Sequence, residues 1–175
     1  MRTNRPYQHG FTLIEAIVTL AIAAILTAMA APSFLNMLDK RRIGASANAI
    51  YSSLQEARSV AVTEGTNVSG CLTNDGLNCN DTVNKGSAAQ FIIFRGITPP
   101  TGATWDAIGI RTVAINTRVG DIKLGKFGGP ANQIQFQADG ITLGSSQNGT
   151  FTLAGRTPDK SQTVTVARTG RLRIN

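Results

Sequence analysis

Apolar and polar positions give this chain two textures, which meet near residue 65. From Phe11 to Ala31 the side chains are almost continuously apolar, with a single charge at Glu15. At ~1.5 Å rise per residue this run reaches about 32 Å as a helix, roughly the hydrocarbon thickness of a bilayer. Pro32 follows; in a continuing helix it removes one hydrogen bond and crowds the carbonyl of Ala28, which predicts a kink. Beyond it, Ile43, Ala47, Ile50, Leu54, Ala57 and Ala61 recur at spacings of four and three, the mark of one helical face, while Arg41, Asn48, Ser52, Gln55 and Ser59 fall on another side. Glu64-Gly65 supplies a stop. From Thr66 onward the pattern changes to short β-branched runs divided by Gly, Asn, Asp and Pro. The expected strands are Val68 to Thr73, Gln90 to Arg95, Ile110 to Asn116, Asp121 to Leu124, Gln133 to Gln137, Thr150 to Ala154, Thr163 to Arg168 and Arg171 to Ile174. The alternation in Gln133-Ile134-Gln135-Phe136-Gln137 and Thr163-Val164-Thr165-Val166 is that of half-buried antiparallel strands. Gly96 to Asp106 and Gly125 to Asn132 read as loops. Sheets packed on a long helix give an α+β fold.

Glu15 changes the picture of the apolar run. A carboxylate costs roughly 3 kcal/mol or more at a bilayer centre, so it calls for a partner. Its place near the helix start, where unpaired N–H groups favour negative charge, lowers that cost. The bland alternative is a tolerated interfacial Glu. A conventional secretory signal has a shorter apolar region and a small-residue cleavage site, for which Ala28-Met29-Ala30-Ala31 is the one candidate.

Gly10-Phe11-Thr12-Leu13-Ile14-Glu15, preceded by a short basic leader and followed by the apolar run, resembles the class III signal of type IV pilins and type II secretion pseudopilins. The resemblance implies that a prepilin peptidase cuts after Gly10 and methylates Phe11, and that Glu15 meets a neighbouring subunit's N-terminal amine during assembly. It also implies a bend at the position of Pro32. Residues 134 to 175 add a looser likeness to GspH/FimT-type minor pilins, carried by Ile134-Gln135-Phe136, Gly140, Phe151, Val164-Thr165-Val166 and Gly170-Arg171-Leu172-Arg173. The expected organisation is a leader over 1–10, a helix over 11–65 (membrane and polymerisation part 11–31, amphipathic part 32–65) and a β-rich periplasmic head over 66–175. The implied architecture is pilin-like, a long kinked N-terminal helix packed on antiparallel β-sheets.

The formal charge of +7 falls to +5 when the leader takes Arg2 and Arg5 with it. A basic balance favours phosphate-bearing or acidic partners. Arg2 and Arg5 before the apolar run and Lys40, Arg41 and Arg42 after it leave the positive-inside rule ambiguous. The two cysteines, Cys71 and Cys79, enclose a turn-forming stretch, and the single histidine, His9, lies in the leader, so a zinc site lacks ligands. A disulfide is the expected outcome; it contributes about 2.5 kcal/mol for so short a loop and implies an oxidising compartment.

No catalytic constellation, metal cluster or cofactor loop stands out, so the chain reads as a substrate of a processing enzyme rather than an enzyme. The last twenty residues differ: Arg156, Lys160, Arg168, Arg171 and Arg173 stand against Asp159 alone. If Thr169-Gly170 forms a two-residue hairpin turn, Arg168 and Arg171 face each other across it. Arg171 and Arg173 then share a sheet face while Leu172 and Ile174 take the other. Guanidinium forks suit phosphate oxygens. Gly170-Arg171-Leu172-Arg173 is similar to the Gly-Arg-x-Arg motif of FimT-type pilins, which implies non-specific binding of double-stranded DNA during natural transformation; Lys123 and Lys126, flanking Gly125, are candidate extensions of the patch. Of the aromatic residues Tyr51, Phe91, Phe94, Trp105, Phe127, Phe136 and Phe151, most sit in apolar strand patterns, so no stacking platform for single strands is evident. The rival reading is a minor pilin or pseudopilin that primes or caps a filament, its arginines serving ion pairs or filament contacts. A membrane-anchored enzyme is the third class. Implied partners are DNA, other pilins, the prepilin peptidase and the inner membrane, with the head periplasmic before assembly and on a surface filament afterwards.

Overall fold

The computed structural model describes residues 11–76, 78–79, 82–83, 89–98, 108–115, 122–124, 133–143, 149–154 and 161–175, without the side chains of residues 30–32, 82–83 and 122–124. The expected leader, with Gly10 in it, lies outside them. One helix, α1 (Leu13–Glu64), precedes nine strands: β1 (Val68–Thr73), β2 (Thr82–Val83), β3 (Gln90–Arg95), β4 (Gly109–Ala114), β5 (Ile122–Leu124), β6 (Gln133–Phe136), β7 (Gly149–Ala154), β8 (Ser161–Val166) and β9 (Leu172–Ile174). The expected loops at 96–106 and 125–132 lie almost wholly outside the described residues.

The chain forms two compact units, divided between Leu38 and Asp39. In the first, the apolar part of α1 presents Leu13, Leu20 and Met29 at 70% exposure or more. This segment is long and apolar enough to cross a membrane. Its start is capped: the Glu15 N–H donates to Thr12 Oγ1 at 3.3 Å. Thr12-x-x-Glu15 is thus a capping-box sequence with Glu15 at the third helical position, where a carboxylate opposes the helix dipole favourably. The helix runs through Pro32 as one element, Leu13–Glu64, and the side chains around the expected kink, residues 30–32, lie outside those described.

In the second unit, the residues spaced by three and four along α1, from Ile43 to Ala61, are all buried. They meet two antiparallel sheets, ordered β4-β3-β1-β6 and β2-β5-β7-β8-β9. Val68, Leu72, Phe91, Ile93, Ile134 and Phe136 from the first sheet join Phe151, Leu153, Val164 and Val166 from the second in one core with the helix face. Phe91 and Phe151 meet edge to face with ring centroids 5.6 Å apart, tying the sheets together. Gly70 makes room for the Phe91 ring, which stands 2.9 Å from where a Cβ would lie.

Several sequence expectations change here. The alternation in β6 does not mark a solvent face: Gln133 and Gln135 are buried. The Gln133 amide donates to Ile97 O at 2.6 Å, and Gln135 to Ser69 Oγ, which donates in turn to Gly96 O. The glutamines belong to a second buried layer with Cys71, Ile92 and Phe94; hydrogen bonds replace water at their amide nitrogens, whereas Gln135 Oε1 is buried without a partner among the described residues. The strand expected at Ile110 to Asn116 begins one residue earlier and ends at Ala114, and β2 went unforeseen because two residues carry no periodicity. The expected disulfide is present, Cys71 to Cys79, with the Cα atoms 5.5 Å apart. Asp75 shapes its loop by accepting from the Asn78 N–H at 2.8 Å and the Asn78 amide at 2.7 Å.

Candidate nucleic-acid interface

The C-terminal hairpin is built by strand alternation. Val164 and Val166 of β8 are buried, and Leu172 and Ile174 of β9 pack against the core. Arg171 and Arg173 therefore lie on the opposite face, where with Thr165, Ala167 and Asn175 they line a recess of about 240 Å³.

The turn differs from the two-residue form expected. Val166 pairs with Leu172, the Ala167 N–H donates to Arg171 O at 2.8 Å, and the Gly170 N–H donates to Ala167 O at 2.8 Å. The loop is thus three residues, Arg168-Thr169-Gly170, with Gly170 at φ 75°. This is a turn closed by a left-handed glycine bulge, a common three-residue hairpin connection. Ala167, not Arg168, stands opposite Arg171, so the like-charge confrontation across the turn does not exist. Arg168 sits on the turn itself with its side chain exposed.

A second loop repeats this construction. Gln137 N–H donates to Ile141 O, Gly140 N–H to Gln137 O, and Gly140 has φ 75°. The two turns abut. Thr142 donates its N–H and its hydroxyl to Arg168 O at 3.0 and 3.1 Å, and a Cβ on Gly170 would collide with the Gly140 carbonyl oxygen. Arg58 of α1 joins them, its Nε donating to Gly140 O at 3.0 Å and its Nη2 to Thr169 O at 3.4 Å. Sequence reading singled out both glycines but not Arg58. Its only signal is a charge beside Ala57 at the margin of the apolar helical face.

Between this part of α1 and the hairpin lies a groove of about 710 Å³, lined by Tyr51, Gln55, Arg58, Ser59, Val62 and Thr63 of the helix and by residues 169–172. Among the described residues its lining holds two guanidinium groups and no carboxylate. Tyr51 packs on the core and lines the groove, with its hydroxyl accepting from the Gln55 amide at 2.9 Å. Phe91, Phe94, Phe136 and Phe151 are buried, as their strand patterns predicted.

Two arginines of the first sheet are paired with acids of α1. Arg95 of β3 and Glu64 of α1 form a two-pronged pair at 2.6 Å, and Arg111 meets Glu56 at 2.5 Å. The Arg95 hydrogen bonds hold the Glu64 carboxyl below its ordinary range, and Glu64 in turn raises Arg95. Among the described residues, Arg168, Arg171 and Arg173 have no such acidic partner. Arg156, Lys160 and Lys126 lie outside the described residues; Lys123 stands in β5, paired with Thr152, without a described side chain. At the other end of the chain Phe11 is 74% exposed and Glu15 is exposed.

A family profile described as Type II transport protein GspH matches residues 46–170, and one for the prokaryotic N-terminal methylation motif matches residues 5–31. Two crystal forms of the Pseudomonas aeruginosa type IV minor pilin FimU share the fold. In one, identity is 17%, with 79% of this chain and 92% of that chain covered and a TM-score of 0.54. In the other, identity is 18%, coverage 75% and 91%, and the TM-score 0.52. The minor pseudopilin EpsH of the Vibrio cholerae type 2 secretion system aligns at 16% identity over 77% of this chain and 96% of that chain, with a TM-score of 0.45. No curated protein matches the chain.

Proposed function

The chain belongs to the GspH family and is a minor pilin or pseudopilin of a type IV pilus or type II secretion system, and from that premise we propose that it binds double-stranded DNA without sequence preference through its C-terminal arginines during natural transformation. The observation that carries this reading is the hairpin: Arg168, Arg171 and Arg173 stand exposed on one rigid β-turn-β unit without an acidic partner among the described residues, whereas Arg95 and Arg111 are paired. Exposed guanidinium groups held by a packed scaffold are suited to phosphate oxygens. Arg156 and Lys160 extend the patch in this reading.

The N-terminal residues supply delivery. Cleavage between Gly10 and Phe11 by a prepilin peptidase, with methylation of Phe11, leaves α1 in the inner membrane with the head in the periplasm. Glu15 then pairs with a neighbouring pilin's N-terminal amine as the subunit enters a filament. The capping geometry at Thr12 supports this role, since it sets Glu15 in the first turn of the helix. A second reading, a subunit that primes or caps assembly without touching DNA, draws on the exposed apolar face of α1, which serves either role.

Fluorescence anisotropy with a labelled duplex tests the DNA reading. Arg171→Gln/Arg173→Gln is expected to weaken binding at least tenfold at low salt, and unchanged affinity would sink the assignment. In cells, a deletion that abolishes transformation while leaving pili intact favours DNA capture; loss of pili favours assembly priming.

A further inference from the structure

We infer that the groove between α1 and the β8–β9 turn is a subsite for single-stranded nucleic acid, with a base laid against Tyr51 and flanking phosphates held by Arg58 and Arg171. This rests on the hairpin being a DNA interface and narrows the form of strand that it holds most tightly.

Size comes first. At about 710 Å³ the groove falls within the roughly 300–1,000 Å³ of small-molecule sites, room for about one or two nucleotides and too little for a duplex. The lining then selects the ligand. Among the described residues its formal charges are those of Arg58 and Arg171, so an anion is favoured. Tyr51 adds a flat apolar surface, which every nucleobase can cover. Ser59 and Thr63 place hydroxyl groups on the groove wall, and the Thr63 hydroxyl, spending its proton on Ser59 O at 2.8 Å, keeps its oxygen free to accept from a base.

Preorganisation supports the same conclusion. Arg58 is pinned by its bonds to Gly140 O and Thr169 O, so little side-chain entropy remains to be lost when its other N–H groups meet a phosphate. Tyr51 is oriented by Gln55. Arg171 lines both this groove and the recess that holds Arg173, which makes the cations continuous from Arg58 to the hairpin face. A duplex engages the arginines at the rim, but its bases stay stacked away from Tyr51. A single strand engages both.

The full chain in detergent micelles is titrated with a short single strand of mixed sequence, with its blunt duplex, and with a glutamate-rich peptide as competitor. The single strand is expected to bind roughly tenfold tighter than the duplex, the size of one base–aromatic stack. Tyr51→Leu, which keeps apolar bulk but removes the ring, should erase that preference and leave duplex affinity unchanged. Ser59→Glu places a carboxylate in the groove from an exposed helical position and should weaken the single strand more than the duplex, erasing the preference, which keeps the test decisive if Tyr51→Leu fails to fold. Equal affinity for the two strand forms, or a preference that neither substitution moves, overturns the inference while duplex binding stands. Displacement of the single strand but not the duplex by the peptide reassigns the groove to acidic peptides. Absence of binding by either nucleic acid overturns both readings together.

Discussion

Gly170 is the residue on which the candidate site depends most directly. Its φ of 75° already disfavours an L side chain, and a Cβ there would also run into the Gly140 carbonyl and the Arg58 guanidinium. Gly96 is the natural control, since it has φ 89° but nothing within 4 Å of a Cβ. Gly96→Ala should therefore cost about 1 kcal/mol, the conformational cost alone. Gly170→Ala adds overpacking against backbone and should cost about 3 kcal/mol or more. Urea midpoints of the two variants check this, and equal shifts would show that the junction yields easily. Both turn glycines were legible in the sequence because Gly is the residue that a left-handed turn position selects. Arg58 was not, because its partners are backbone carbonyls 82 and 111 residues away, and a carbonyl leaves no trace in the identity of its residue.

At the scale of elements, legibility followed how strongly a segment is bounded. The edges of β1 and β3 agree with expectation to the residue, because apolar runs there end at Asn, Asp or Gly. The long helix was legible from its two successive apolar patterns. The hairpin register was not: Thr169-Gly170 fits a two-residue turn by composition, and only the left-handed Gly170 bulge adds the third residue and moves Ala167 opposite Arg171. The glutamines of β6 misled for a related reason, since alternation reports two different faces but not that both are covered. The end of α1 carries a pH-dependent element contact, the pair Glu64–Arg95. Because Arg95 lowers the Glu64 pKa in the folded state, the pair stabilises above the ordinary carboxylate value of about 4.3 and its contribution fades as pH falls through the lowered folded value. Glu64→Gln should flatten that part of the acid limb of stability and change nothing near neutrality beyond loss of the pair itself. Denaturation midpoints followed downward from about pH 6 test it, and an acid limb identical to that of the parent chain would show that the pair does not form in solution.

For the whole molecule, the basic balance matters through where compensation is missing rather than through its total. The formal charge of the full sequence is +7, yet Arg95 and Arg111 are neutralised within the head by Glu64 and Glu56, while the hairpin arginines have no acidic partner among the described residues. Binding driven by those three should release counterions in proportion to phosphates contacted, giving a log–log salt slope of about −2.7. Arg171→Gln/Arg173→Gln should bring it near −0.9, because each lost phosphate contact removes about 0.9 from the slope. Arg111→Gln serves as the opposite control: it removes a charge of the same kind and the same formal unit, but one already paired, so affinity should shift no more than a distant charge allows and the slope should hold. Anisotropy titrations across a series of salt concentrations separate the two accounts. If both variants lower the slope equally, attraction comes from the overall positive charge and the hairpin has no special part in it; if the hairpin variant alone does so, the arginines left unpaired by the fold are the ones that meet the phosphates.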